Sequence, residues 1–168
     1  MINWKRNLIV LGAAQFLTMV GFSLYMSFIP YYIQEISGVS DDAAMSWAAA
    51  FQTGGAISMM IAAPIWGSLA DRYGRKMMLM RAMAAGSIMA FLMGIAQSPA
   101  QILVIRVIQG GFSGTAAAAM TLVATSTPEA SLGRALGMVQ MIQFSSHAVG
   151  PVLGGLAADA FGYRAVFP

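Results

Sequence analysis

A dense cluster of charge lies between two apolar runs that are each long enough to cross a bilayer. It occupies the segment Gly67, Ser68, Leu69, Ala70, Asp71, Arg72, Tyr73, Gly74, Arg75, Lys76. One acid and several bases cannot rest in hydrocarbon, so this segment is a short loop joining two spanning helices. Counting Arg81, bases outnumber the acid four to one, which marks the cytoplasmic side. A chain built this way is a polytopic membrane protein.

Composition points the same way. Hydrophobic residues make up 58% of the 168 residues and charged residues only 9%, with a mean hydropathy of +0.72. A soluble domain of this size could not cover so much apolar surface. The net charge of +3 does not indicate a nucleic-acid partner, because the basic residues sit in loops beside apolar runs and not along one helical face. Cysteine is absent, so there is neither a disulfide framework nor a thiolate site.

Apolar runs of roughly 20 residues or more predict five spanning helices, near residues 8–32, 44–70, 78–97, 100–125 and 133–158, with a sixth beginning at Phe161. The first run exceeds the apolar core of a signal peptide and no small-residue cleavage site follows it, so it reads as an uncleaved helix. Lys5, Arg6, Arg72, Arg75, Lys76, Arg81 and Arg134 fall at the amino terminus and in alternate loops, which predicts a cytoplasmic amino terminus. Gly67, Asp71, Tyr73 and Gly74 match Gly155, Asp159, Phe161 and Gly162 at a constant offset of 88 positions. The two segments leave the membrane on opposite sides, which predicts inverted three-helix repeats with a boundary near residue 98.

Within the spans, polar residues fall on stripes. Arg106, Gln109, Gly110 and Ser113 share one face of the fourth span. An Arg placed at the middle of a spanning helix costs about 2.5–3.5 kcal/mol on insertion scales, so Arg106 either faces a partner or wet cavity or snorkels to the outer interface. The fifth span carries Gln140, Gln143, His147 and Pro151, and the first carries Gln15, Thr18, Phe22 and Tyr25. Together these stripes predict one cavity with polar groups among aromatic and Met side chains, suited to a small amphipathic ligand. Any one of the fifteen Met residues could equally face lipid. His147 could titrate near neutral pH or serve as a packed neutral ring. No phosphate-cradling loop, paired intramembrane carboxylates or metal-ligand spacing is present, so the chain reads as neither an enzyme nor an ATP-driven pump, with no cofactor and no metal.

The stretch from Gly67 to Leu79, GSLADRYGRKMML, resembles the signature loop between helices two and three of the major facilitator superfamily. Arg106, Gln109 and Gly110 resemble its helix-four motif RxxQG, and Gly150, Pro151, Gly154 and Gly155 resemble the helix-five antiporter motif GPxxGG of the drug:proton antiporter branch. The resemblance runs over nearly the whole chain, from Pro30 at the end of helix one to the GYRAVF leading into helix six. It implies an all-α membrane protein that forms the amino-terminal half of a secondary transporter: five complete helices and the start of a sixth, lacking a carboxy-terminal half. Gly67, Asp71, Arg72, Gly74, Arg75 and Lys76 would form a gating loop. Arg106, Gln109 and Gly110 would serve proton coupling, and the Gly-Pro motif would bend and seal the cavity. The implied partners are the lipid bilayer, a small-molecule substrate and protons, in a bacterial inner membrane. Span one departs from several exporters of this branch in having no carboxylate between Leu8 and Tyr32. Transport of one specific metabolite, such as a sugar or organic acid, and a truncated membrane protein that transports nothing are the competing readings.

Overall fold

The computed structural model describes residues 4–162, and the regular elements among them are all α-helices. In chain order they are α1 (Trp4–Met26), α2 (Ile29–Ser37), α3 (Asp41–Tyr73), α4 (Arg75–Gly94), α5 (Pro99–Phe112), α6 (Thr115–Ser126) and α7 (Glu129–Phe161).

There are thus seven helical elements where the apolar pattern predicts five continuous spans. Two of the runs are interrupted. Residues 8–32 cross a break after Met26, because Pro30 lies in the first turn of α2 and cannot donate to the Met26 carbonyl that a continuous helix would present. Residues 100–125 cross a break at Ser113 and Gly114, where Gly114 takes φ +122°, a conformation that removes it from any right-handed helix. The predicted start of a sixth helix at Phe161 is also corrected: Phe161 is the last residue of α7, and Gly162 ends that helix at φ +82°. The GYRAVF feature extends beyond the described residues.

Among the described residues α1, α3 and α4 are each long and apolar enough to cross a membrane. At 33 residues α7 has ample length, but Gln143, Ser145, Ser146 and His147 dilute its apolar character. Large apolar side chains such as Ile9, Met60, Ile61, Phe91, Phe144 and Leu156 stand exposed around the bundle, as lipid-facing residues do.

Close packing follows the small residues. Along the α1–α7 seam, a Cβ on Gly12 would lie 2.8 Å from the Ile142 side chain, and one on Gly154 would lie 2.6 Å from the carbonyl oxygen of Leu24. Along the α3–α5 seam, a Cβ on Gly110 would fall on the Gly55 carbonyl. Two apolar clusters close the bundle at its ends. Tyr25, Ile29, Tyr32, Phe51, Met93 and Ile102 form the larger, and Val123, Ala135 and Val139 with Leu8 and Leu11 form the smaller. The Tyr32 hydroxyl is buried against the carbonyl end of α4, 3.0 Å from the Met93 oxygen, and this docks α2 on α4.

A polar cleft between five helices

The middles of α1, α3, α4 and α7, with the carboxy-terminal half of α5, surround a cleft of about 630 Å³. Its walls hold Thr18, Phe22 and Tyr25 from α1, Arg106, Gln109 and Gly110 from α5, and Gln143 and His147 from α7. These are residues from all three predicted stripes. Arg106 is only 8% exposed, so it points into the bundle and does not snorkel outward. Its Nη1 donates to Gln109 Oε1 at 2.8 Å, and Gln109 Nε2 donates to the Tyr25 hydroxyl at 3.0 Å. The guanidinium carbon lies 5.0 Å from the Phe22 ring centre and 5.1 Å from that of Phe51. A cation held between two aromatic faces recovers part of its lost hydration through the ring quadrupoles.

Gly55 makes room for this arrangement, since a Cβ there would sit 2.5 Å from Arg106 Nε. The stripes alone do not reveal Phe51, Gln52, Gly55 and Met59, which line or support the cleft from α3. The adjacent Gly54 and Gly55, just beyond Phe51 in the second span, are the available sequence signal.

Two predicted cavity residues are placed elsewhere. Gln15 is buried at 2% exposure off the cleft wall, and neither polar atom of its side chain has a partner among the described residues. Gln140 is exposed and also off the wall. Both lie one turn closer than the cleft residues to the end where α1, α6 and α7 converge on Val123, Ala135 and Val139. Met19 and Met59 are in the wall, whereas the exposed Met45, Met60, Met77, Met80 and Met141 lie off it.

The glycines of the fifth-span motif lie in the α1–α7 seam. A Cβ on Gly150 would collide with Ser23, and one on Gly154 would meet the Phe28 ring at 2.7 Å, whereas at Gly155 the nearest atom is at an ordinary 3.7 Å. Pro151 lies inside α7 and cannot donate to the His147 carbonyl, which instead accepts a long 3.5 Å hydrogen bond from Ser23 Oγ.

At the α3–α4 junction, Gly74 has φ +93° and its N–H reaches the Ala70 carbonyl, so α3 ends and α4 starts within one residue. Asp71 is 71% exposed and 3.2 Å from Arg75 Nη2, and Arg75 Nη1 donates to the Thr121 carbonyl of α6 at 3.3 Å. Arg72 lies over the Tyr73 ring at 5.7 Å, Lys76 is exposed, and Gly67 has open space around it. The expected loop bases are helical: Arg72 lies in the last turn of α3, Arg75 and Lys76 begin α4, and Arg81 lies deeper still. It lies inside α4, with its guanidinium 3.3 Å over the Trp66 ring centre and Nη2 donating to the Phe112 carbonyl at the end of α5.

Residues 11–167 match the Major Facilitator Superfamily. The chain belongs to that superfamily. Over 166 residues it is 41% identical to the Multidrug resistance protein MdtG of Escherichia coli O1:K1 / APEC, and equally to that of Escherichia coli strain K12 / DH10B. Each match takes in 99% of this chain and 41% of the relative, so the chain spans about two-fifths of the length of these curated relatives. Within this superfamily chain, the polar cleft and the charged α3–α4 junction are separate features. The cleft opens between the middles of the packed helices, and the junction is exposed at one end of them.

Proposed function

We propose that this chain forms the amino-terminal half of a secondary exporter that moves small amphipathic compounds out of a bacterial cell across the inner membrane in exchange for protons. The observation that carries this reading is the cleft itself: apolar walls surrounding one buried cation, Arg106, whose bonds run to Gln109 and Tyr25. A carboxy-terminal half would complete the cavity, and rocking of the two halves would expose it to each side in turn. Asp71 with Arg72, Arg75 and Lys76 would latch the two halves on the cytoplasmic side, and Arg106 with Gln109 would couple proton movement to substrate release.

Three features support inverted repeats. First, α3 and α7 are both 33 residues long, and residues 41 and 73 map onto 129 and 161 at the same offset of 88. Second, each helix ends on a positive-φ glycine that bonds back to an alanine carbonyl, Gly74 to Ala70 and Gly162 to Ala158. Third, the broken pair α1 and α2 corresponds to the broken pair α5 and α6, so that each repeat would open with one interrupted span, in keeping with five spans overall. The clustering of Lys5, Arg6, Arg72, Arg75, Lys76 and Arg134 near helix ends on one side of the predicted topology supports a cytoplasmic amino terminus.

The test is efflux from inside-out vesicles containing the full-length transporter. Accumulation of an amphipathic dye on energisation, abolished by a protonophore and by Arg106→Ala, is the expected result. Accumulation that survives both would refute proton coupling and the role of Arg106 in it.

A further inference from the structure

The fourth predicted span breaks inside its apolar run, and two other helices close the break. Where α5 stops at Phe112, its last four carbonyls lose their helical donors, and at membrane depth lipid offers none in their place. Ser113 serves two of the four: its hydroxyl donates to the Gln109 carbonyl at 2.8 Å and its N–H to that of Gly110 at 3.1 Å. The other two are reached from neighbouring helices. Trp66 Nε1 of α3 donates to the Gly111 carbonyl, and Arg81 Nη2 of α4 donates to the Phe112 carbonyl at 3.4 Å. These two donors brace each other, since the Arg81 guanidinium stacks 3.3 Å over the Trp66 ring centre and the Trp66 ring lies 5.8 Å from that of Phe112. Arg81 makes no ion pair among the described residues, and a cation at the carboxy terminus of a helix is favoured by the helix dipole.

We infer that Arg81 is a positioning residue for the cleft: with Trp66 it holds the carboxy-terminal turn of α5 against α3 and α4, and so keeps Gln109, and through it Arg106, in the wall. The inference rests on reading the cleft as the substrate site and adds a control on its geometry from outside the wall, which includes neither Arg81 nor Trp66. Gln109 belongs to the turn that is held, and its side chain joins Arg106 on the same helix to Tyr25 on α1. Released from Arg81 and Trp66, the Gly111 and Phe112 carbonyls have to find donors elsewhere, by fraying toward water or by winding on through Gly114 into α6. Either course rearranges the Ser113 bonds and moves the turn that carries Gln109. The 3.0 Å bond to Tyr25 does not survive a shift of an ångström, because hydrogen bonds weaken steeply outside their narrow range of distance and angle.

The experiment is a double-mutant cycle on the full-length transporter, read as melting temperature in detergent and needing no substrate. Tyr25→Phe lowers the melting temperature of the parent by removing the partner of Gln109 Nε2. In an Arg81→Gln background the same substitution should lower it by about half as much or less, because the pair is already loosened. In an Arg81→Lys background, where a cation still reaches the end of α5, most of the parent's drop should return. Trp66→Phe keeps an aromatic ring and deletes the Nε1–H. It should couple to Tyr25→Phe in the same sense, which keeps the test decisive if the Arg81→Gln protein fails to fold. Arg75→Gln is the additive control, since Arg75 reaches Thr121 beyond the break. Additive losses for both Arg81→Gln and Trp66→Phe, coupling of Arg75→Gln as strong as that of Arg81→Gln, or no return of the drop in Arg81→Lys would overturn the inference. Energised uptake of ethidium by inside-out vesicles separates it from the transport reading: Arg81→Gln should slow uptake roughly three- to ten-fold and Arg81→Lys less than about two-fold. A coupled cycle in a protein whose ethidium uptake ignores Arg81→Gln, or never occurs, would refute the transport reading alone.

Discussion

Replacing Gly55 with alanine should damage the cleft out of proportion to the single methyl group added. The new Cβ would lie 2.5 Å from Arg106 Nε, 2.9 Å from Cζ and 3.1 Å from Cδ. Since ordinary contact begins near 3.4 Å, the guanidinium must move by most of an ångström. That movement pulls it out from between Phe22 and Phe51 and lengthens the 2.8 Å bond to Gln109. Crowding costs about 1–3 kcal/mol and a weakened bond to a charged group about 1.5–3 kcal/mol, against roughly 1 kcal/mol gained from replacing a helical glycine. The net loss is about 1.5–5 kcal/mol. Gly86→Ala is the matched control, because Gly86 lines the same cleft with nothing within 4 Å of its would-be Cβ. The assay is thermal unfolding of both variants in detergent, followed by vesicle transport. Gly55→Ala should melt several degrees below the parent and transport poorly, with Gly86→Ala at or above the parent in stability. Indistinguishable melting of the two variants would refute the claim that Gly55 seats Arg106.

Other perturbations separate structure from gating. Tyr25→Phe removes the acceptor for Gln109 Nε2 and should destabilise by about 1–3 kcal/mol in the same melt, because a buried donor is left unpaired. Asp71→Asn breaks only an exposed ion pair and should shift stability by less than about 1 kcal/mol while abolishing efflux; normal efflux would remove Asp71 from the gate. Gly74→Ala forces a side chain into φ +93° and should cost about 1–3 kcal/mol, read as a lower melting temperature. Gly150→Ala drives a methyl group into Ser23 and should loosen the α1–α7 seam, seen as faster proteolysis of the α6–α7 connection.

How much of the fold and the cleft was legible in the sequence varied with the physical signal. Hydrocarbon excludes the charges after Gly67, so a junction between two helices was legible there, but the predicted loop shrinks to Gly74: Gly67–Tyr73 belong to α3, and Arg75 and Lys76 open α4. The stripe shared with Gln109 and Ser113 put Arg106 on a polar helical face but left it either inward or snorkelling outward, and its burial at 8% exposure decides for inward. A stripe defines an angle around a helix but not a depth along it, and for that reason Gln15 and Gln140 fell one turn outside the cleft. The break at Gly114 was hidden because the apolar composition runs on unchanged through it, and one backbone angle made the difference. Phe51 was invisible as a partner of Arg106 because a cation against a ring leaves no polar mark in the sequence. The Tyr25–Gln109 bond joins residues 84 positions apart, a pairing that only the packing of α1 near α5 supplies.

The central claim, that the cleft around Arg106 takes the transported molecule, can be tested with single cysteines introduced into these 168 residues, which have none, once any cysteine elsewhere in the full-length transporter is replaced. Ser87→Cys places a thiol in the cleft wall, and Asp42→Cys places one at the exposed start of α3. The measurement is the rate of maleimide labelling of each variant of the full-length transporter, with and without a saturating amphipathic substrate. Substrate should slow labelling at Ser87→Cys and leave Asp42→Cys unchanged. Equal labelling of Ser87→Cys with and without a substrate that the protein is shown to export would contradict the account.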